Sequence, residues 1–361
     1  MTFRTLCLVL LAALLSGCGE DKPPLAPAQP KNLPVTDVAN VARELPNYTR
    51  FGISGLAFLS NRLFVATNIG LLEVQGREVK QFYRWYDKYN VISGPWSDEP
   101  RDGVWVHRED DGYFVRLDHN GWNRIDLPKP PKGYYTRGDF LEGFVGISDK
   151  SHFYLIGAGN VWQWSDAGGW LIEPQPSAEK FSDVVGFADF GTLQLYIVRS
   201  GACALPPCNY AAYWYDAGQW HAPLRVPISR VSQVVAVSQG AFVRGSNGEL
   251  LGIDVKTVTL MDIPGPCEAI TRTSDGKLLA SFRGSGIFVL DKGWLKLLDD
   301  PYNASEGEHW AYLSENNGVI AFATTSVPQL KQGTDNQWYF SGTDALWVSE
   351  NKKLARVKLI Q

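Results

Sequence analysis

The chain has 361 residues, 20% of them charged, with a formal net charge of −4 and a sequence pI near 5.8. That balance provides no electrostatic footprint for nucleic acid or for an anionic lipid surface. Aromatic residues make up 12%, with 13 Trp against only 2 Met. A chain this long can bury one large core or several small ones.

The N-terminal segment carries a positive charge at Arg4, then the apolar run "LCLVLLAALL" at 6–15. This is the layout of a signal peptide, and it falls short of the ~20 residues a spanning helix needs. Leu15-Ser16-Gly17-Cys18 follows. This segment resembles the lipobox of bacterial lipoproteins. The resemblance implies cleavage before Cys18, diacylglycerol on its sulfur and a further acyl chain, such as palmitate, on its new amine. Each acyl chain contributes about 0.8 kcal/mol per buried CH₂, and several chains together make a stable anchor. Gly19, where Asp would signal inner-membrane retention, implies the outer membrane by resemblance to enterobacterial lipoproteins. Five prolines in "KPPLAPAQPKNLPVT" (22–36) predict an extended, semi-rigid tether.

Residues 37–45, "DVANVAREL", place Val38, Val41, Ala42 and Leu45 on one apolar face, and Pro46 ends the pattern. One short helix is expected here, packed on the outside of the fold. The rest of the chain is a repeat. An apolar strand, a tight Asp/Asn/Gly turn, often a Trp, and a second strand recur seven times: "GLLEVQGREVKQFY" (70–83), "GYFVRLDHNGWNRIDLP" (112–128), "NVWQWSDAGGWLIEP" (160–174), "AAYWYDAGQWHAPLRVP" (211–227), "ELLGIDVKTVTLMDIP" (249–264), "GIFVLDKGWLKLL" (286–298) and "ALWVSENKKLARVKLI" (345–360). A second hairpin of the same style precedes each copy, most clearly "SGLAFLSNRLFVAT" (54–67) and "EAITRTSDGKLLASF" (268–282).

Each unit therefore holds four short strands. A lone unit cannot bury both faces, but units arranged radially bury each against the next. The expectation is an all-β, seven-bladed β-propeller of four-stranded antiparallel blades. Its organisation is a signal peptide over 1–17, a lipidated Cys and Pro-rich linker over 18–36, the helix over 37–45 and the propeller over 46–361. Trp122, Trp170, Trp220 and Trp294 open the fourth strands and are expected to pack blade on blade. "SDAGGW" and "DAGQW" resemble degenerate Asp-box turns, without the full Ser-x-Asp-x-Gly-x-x-Trp pattern.

In such a ring the turns from first to second and third to fourth strands share one face. Here they are short, with "SDEPRD" (97–102) as an exception. The opposite face receives the long connections: 84–89, 128–143, 174–183, 199–210, 299–309 and 324–337. Long loops on a rigid scaffold are where binding residues concentrate. The candidate binding residues are Trp85, Tyr86, Tyr134, Tyr135, Arg137, Asp139, Tyr302, Glu306 and His309. Rings supply area and charges fix orientation, a mixture suited to a protein, a peptide or a glycan.

Of the five cysteines, Cys7 lies in the signal, Cys18 is the anchor and Cys267 stands alone. Cys203 and Cys208 flank "ALPP", and an oxidising compartment would join them as a local disulfide. The five histidines lack ligand spacing, so neither a metal nor a cofactor is expected. No nucleophile elbow or phosphate loop is present; "GAGNVW" (157–162) lies between strands. The leading expectation is a lipid-anchored, non-enzymatic binding or scaffold module of the bacterial cell envelope, with recognition at its long-loop face, placed at the outer membrane facing the periplasm. In architecture it resembles the propeller lipoprotein of outer-membrane barrel assembly and bacterial sensor propellers. The alternative is a periplasmic propeller hydrolase or lyase acting on sugars or lactones through Asp139, Glu142, Glu308 and His309.

Overall fold

The computed structural model describes residues 29–43, 52–85, 92–93, 103–108, 113–118, 120–128, 145–148, 152–157, 160–174, 183–200, 209–300, 309–326, 329–332, 338–341 and 344–359. Seven antiparallel sheets follow one another along the chain as blades 1 to 7. They span residues 53–84, 92–126, 145–172, 183–226, 231–260, 267–298 and 309–356. Each blade is a meander in which consecutive strands pair, so every blade is one continuous stretch of sequence. In blade 7 a small hairpin, Gln329–Gln332 with Trp338–Ser341, is inserted between the second and third ladder strands.

Both faces of each sheet are buried, because successive side chains of a strand point to opposite sides. In "RLFVAT", Phe64 and Ala66 enter the apolar cluster shared with blade 2, while Leu63 and Val65 enter the one shared with blade 7. Seven such clusters occupy the seven seams. Val104 and Val106 meet Ala57 between blades 1 and 2, and Trp105 meets Phe153 between blades 2 and 3. Tyr154 meets Phe187 between blades 3 and 4, Ala212 meets Val243 between 4 and 5, and Phe242 meets Ile270 between 5 and 6. Leu279 meets Phe322 between blades 6 and 7. The seventh seam joins Leu346 and Val348 of blade 7 to Leu63 and Val65 of blade 1, which closes the ring.

The Trp series performs the packing expected of it. The Trp170 indole N–H crosses from blade 3 to the Asp126 carbonyl of blade 2 at 2.7 Å. Trp294 does the same from blade 6 to Asp262 of blade 5 at 2.9 Å. Trp122 packs edge-on against Tyr83 and Trp85 of blade 1, at ring separations of 5.2 and 5.3 Å. Trp220 packs edge-on against Tyr196 at 5.1 Å in the seam between blades 3 and 4. Glycine is required where blades are tightest. Gly286 opens the third strand of blade 6 at φ +116°, and a Cβ there would meet the Leu298 carbonyl oxygen at 2.2 Å.

The N-terminal part adds two features. Lys31–Leu33, inside the segment read as tether, forms a fifth strand on the outer edge of blade 1, with Lys31 opposite Arg84 and Leu33 opposite Phe82. The helix is Asp37–Arg43, and it buries Val38 and Val41 in the seam between blades 7 and 1. The C-terminal residues reach the same place. Val357 and Leu359 are buried there, and Lys358 makes a parallel bridge to Glu78 on that same outer strand. Polar links reinforce the closure: the Ile53 N–H donates to Asp344 Oδ2 at 2.7 Å, and Arg77 pairs with Glu350.

Candidate functional site

Strand order assigns the connections to two rims, and the rims differ. The rim of first-to-second and third-to-fourth turns is laced from blade to blade. Ser238 donates through its backbone N–H and its hydroxyl to the Gly276 carbonyl, at 2.9 and 3.0 Å. The backbone N–H of Ser274 donates to Glu315 at 2.5 Å, and that of Asn317 donates back to the Ser274 hydroxyl at 3.2 Å. The Asn316 amide reaches the Ser60 carbonyl, and the Tyr154 hydroxyl donates to Asp189 at 2.5 Å. Arg116 pairs with Asp166. Five of the seven seams are thus tied at the turns themselves, which makes this rim a stiff base.

The other rim receives the long connections. Chain segments 85–91, 127–144, 173–182, 201–208, 299–308 and 327–344 all link strands that end there. One long segment, 94–103, leaves blade 2 at the base instead. The elaboration is uneven: the links from blade 4 to 5 and from blade 5 to 6 are only 227–230 and 261–266. The long connections therefore belong to blades 6 to 7 and 1 to 4, and blade 5 has short ones.

Most of the sequence-derived candidates belong to these long connections. Tyr86, Tyr134, Tyr135, Arg137, Asp139, Glu142, Tyr302, Glu306 and Glu308 lie outside the described residues, as do Cys18, Cys203 and Cys208. His309 begins the first strand of blade 7, His309–Asn316. Trp85 is the exception with a described side chain, and the structure corrects its expected role as a presented binding ring. It is only 2% exposed and is enclosed in the seam between blades 1 and 2, against Trp122. Alternation explains this: Tyr83 and Trp85 share one side of their strand, and that side faces blade 2.

At the same rim, three successive second strands end in a residue type that pattern reading passed over. Arg199, Arg244 and Arg283 sit at the ends of the second strands of blades 4, 5 and 6. Their preceding neighbours, Val198, Val243 and Phe282, each pack on the blade before. By alternation the three arginines lean toward the blade after. The signal was available as the recurring "VRS", "VRG" and "FRG" at 198–200, 243–245 and 282–284. Arg283 donates from Nε to Glu268 at 2.7 Å. Burial raises the Glu268 carboxyl pKa, against the lowering effect of Arg283. Burial likewise lowers that of the Arg244 guanidinium, whose Nε has no hydrogen-bond partner among the described residues.

The first strands beside these arginines carry a recurring irregularity. Register shifts by one residue at Ser54, Val185, Ser232 and Glu268, in blades 1, 4, 5 and 6. A β-bulge re-aims the side chain at that point, and bulges gather beside functional sites. Among the described residues no three His, Cys, Asp or Glu side chains are grouped to hold a metal ion. Cys267 is a buried thiol, and burial pushes its pKa up to about 12.

No protein-family model matches the chain, and no curated protein matches it by sequence. Solved structures resemble it in fold at low identity. BamB from Moraxella catarrhalis is 13% identical, with a TM-score of 0.42 over 75% of this chain and 82% of that one. BBS1N, solved in complex with ARL6DN, is 10% identical, with a TM-score of 0.46 over 91% and 95%. The extracellular domain of the putative hybrid two-component system BT3049 from B. thetaiotaomicron is 13% identical, with a TM-score of 0.49 over 86% of this chain and 47% of that one.

Proposed function

We propose that this protein is a lipid-anchored, non-enzymatic propeller of the bacterial cell envelope, held at the outer membrane on its periplasmic side, that binds or scaffolds a protein or peptide partner. The observation that carries the reading is the division of labour between the rims. A base tied by hydrogen bonds across five seams holds the ring stiff. The opposite rim collects the long connections and the row Arg199, Arg244 and Arg283. A stiff ring presenting loops loses little freedom on binding, so more of the contact energy appears as affinity.

The path of the chain supports the placement. The strand Lys31–Leu33 runs antiparallel to the last strand of blade 1, so Lys31 lies at the long-connection rim. The segment from Cys18 to Pro30 therefore leaves from that rim. At about 3.1 Å per residue its reach is about 40 Å. Lipid on Cys18 would hold the long-connection rim within that distance of the membrane, which favours a membrane-associated partner.

Two experiments test the reading. Cys18→Ala is expected to release the protein from the membrane fraction and to abolish incorporation of labelled palmitate; unchanged membrane association refutes the anchor. Photo-crosslinkers placed in 128–143 and 299–309 are expected to capture one partner in cells, while crosslinkers in the base turns at 238 and 275 do not. The opposite pattern refutes the assignment of the rims.

A further inference from the structure

A cleft of about 320 Å³ opens at the base rim, in the seam between blades 2 and 3, well away from the long connections. Trp105 of blade 2 forms part of its wall, stacked on Phe153 of blade 3 at 4.1 Å with the ring planes 6° apart. The Trp105 indole N–H has no hydrogen-bond partner among the described residues. Such a volume lies at the small end of ligand sites and suits a single ring rather than an extended molecule.

The charged side chains of the wall are paired with one another, and His152 lines the cleft beside them, so the wall favours a neutral ligand. Arg116 lies in the wall with its guanidinium 5.4 Å from the Trp105 ring. Its charge is already balanced by Asp166 and by Asp118 at 3.6 Å. Asp166 is in turn fixed by Arg116 and by the Trp164 indole N–H at 2.9 Å, so it is not a free anion awaiting a cation. Its side chain is nonetheless 74% exposed. Beside it the Gln163 amide, which offers both donors and an acceptor, lines the cleft and makes no hydrogen bond among the described residues. Leu171, half exposed, and the half-buried ring of Trp164 supply apolar surface on the same wall.

A ligand matching this wall has no net charge, several hydroxyls at its edge and a C–H face of ring size. We propose that the cleft between blades 2 and 3 binds a neutral pyranose unit of a glycan. The sugar's C–H face lies on Trp164 and Leu171, and its hydroxyls bond to Gln163 and Asp166. The site is separate from the long-connection rim, and its test does not depend on what binds there.

The test uses the full-length protein in a detergent without a sugar headgroup. It is titrated by calorimetry and by Trp fluorescence with hexamers of α-1,4-glucose, β-1,4-glucose, β-1,3-glucose and N-acetylglucosamine. Saturable binding of at least one is expected, with a Kd of about 1 mM or tighter. Gln163→Ala and Leu171→Ser, both at positions that leave the seam cluster intact, are each expected to weaken that binding about ten-fold while the melting temperature stays put. Absence of saturable binding of every hexamer up to about 10 mM overturns the proposal. So does binding that neither substitution changes, and so does preferential binding of a charged sugar acid over the neutral hexamers.

Discussion

Replacing Trp294 in two steps separates the two ways in which a fourth-strand Trp holds neighbouring blades together. Trp294→Phe removes the indole N–H that reaches the Asp262 carbonyl at 2.9 Å, and keeps a ring to pack edge-on against Phe282, now 4.8 Å away. A neutral hydrogen bond is worth about 1 kcal/mol net, so this step is expected to cost about that much. Trp294→Ala also removes the ring. The side chain is half-buried rather than enclosed, so a further loss of about 2 kcal/mol is expected, below the range for fully buried aromatics. At roughly 2 °C per kcal/mol for a domain of this size, the melting temperature falls by about 2 °C and then about 6 °C. Calorimetry and urea titration on each variant read these values. Trp170→Phe, which breaks the matching bond to Asp126 three blades away, should behave alike. The double variant should be additive within ~0.5 kcal/mol, because the seams are separate. An unchanged midpoint for both Phe variants would mean that the cross-blade bond contributes nothing, and would refute the reasoning.

Gly286→Ala is expected to destabilise by more than ~2 kcal/mol in urea titration, because it adds a Cβ against the Leu298 carbonyl at a positive φ. Cys267 gives a pH prediction. Its folded pKa is raised above the unfolded value, so its contribution is complete below pH 9 and is lost as the pH climbs toward 12. Cys267→Ala should flatten the stability profile in that window, and native protein at pH 8 should leave Cys267 unlabelled by a thiol reagent that modifies it in urea. Arg244→Gln is expected to weaken capture of the partner at the long-connection rim at least ten-fold, whereas Arg244→Glu, which sets a carboxylate beside Glu249 and Glu268, is expected to lower the melting temperature as well. Cosedimentation of partner and variant checks it.

The ring could be read from the chain because each blade repeats the same local instructions. Alternating apolar residues fix which side chains enter which seam, and turn residues fix where strands reverse, so blade number and the two rims follow from order alone. Features that depend on a free edge could not be read this way. "KNL" at 31–33 has no strand-like pattern; it pairs because blade 1 exposes unsatisfied backbone groups at its outer strand. The helix was placed correctly in sequence, but its seat in one seam depends on how the ring closes. Trp85 looked like loop decoration because it stands beside charges, yet it continues the alternation of the strand before it. The arginine row and the cleft at Trp105 join residues from different blades, and spacing along the chain does not measure distance around a circle.

Lys31 and Lys358 both pair with the outer strand of blade 1, at Arg84 and Glu78, while the four ladder strands of each blade come from one stretch of chain. The molecule can therefore be cut and rejoined elsewhere without dividing a sheet. A circular permutant opened at 227–230, with a short linker running along the length of that outer strand, keeps all seven sheets whole. Such a permutant would move the N-terminus around the circumference by about half a turn, turning its position into a variable that can be set independently of the fold.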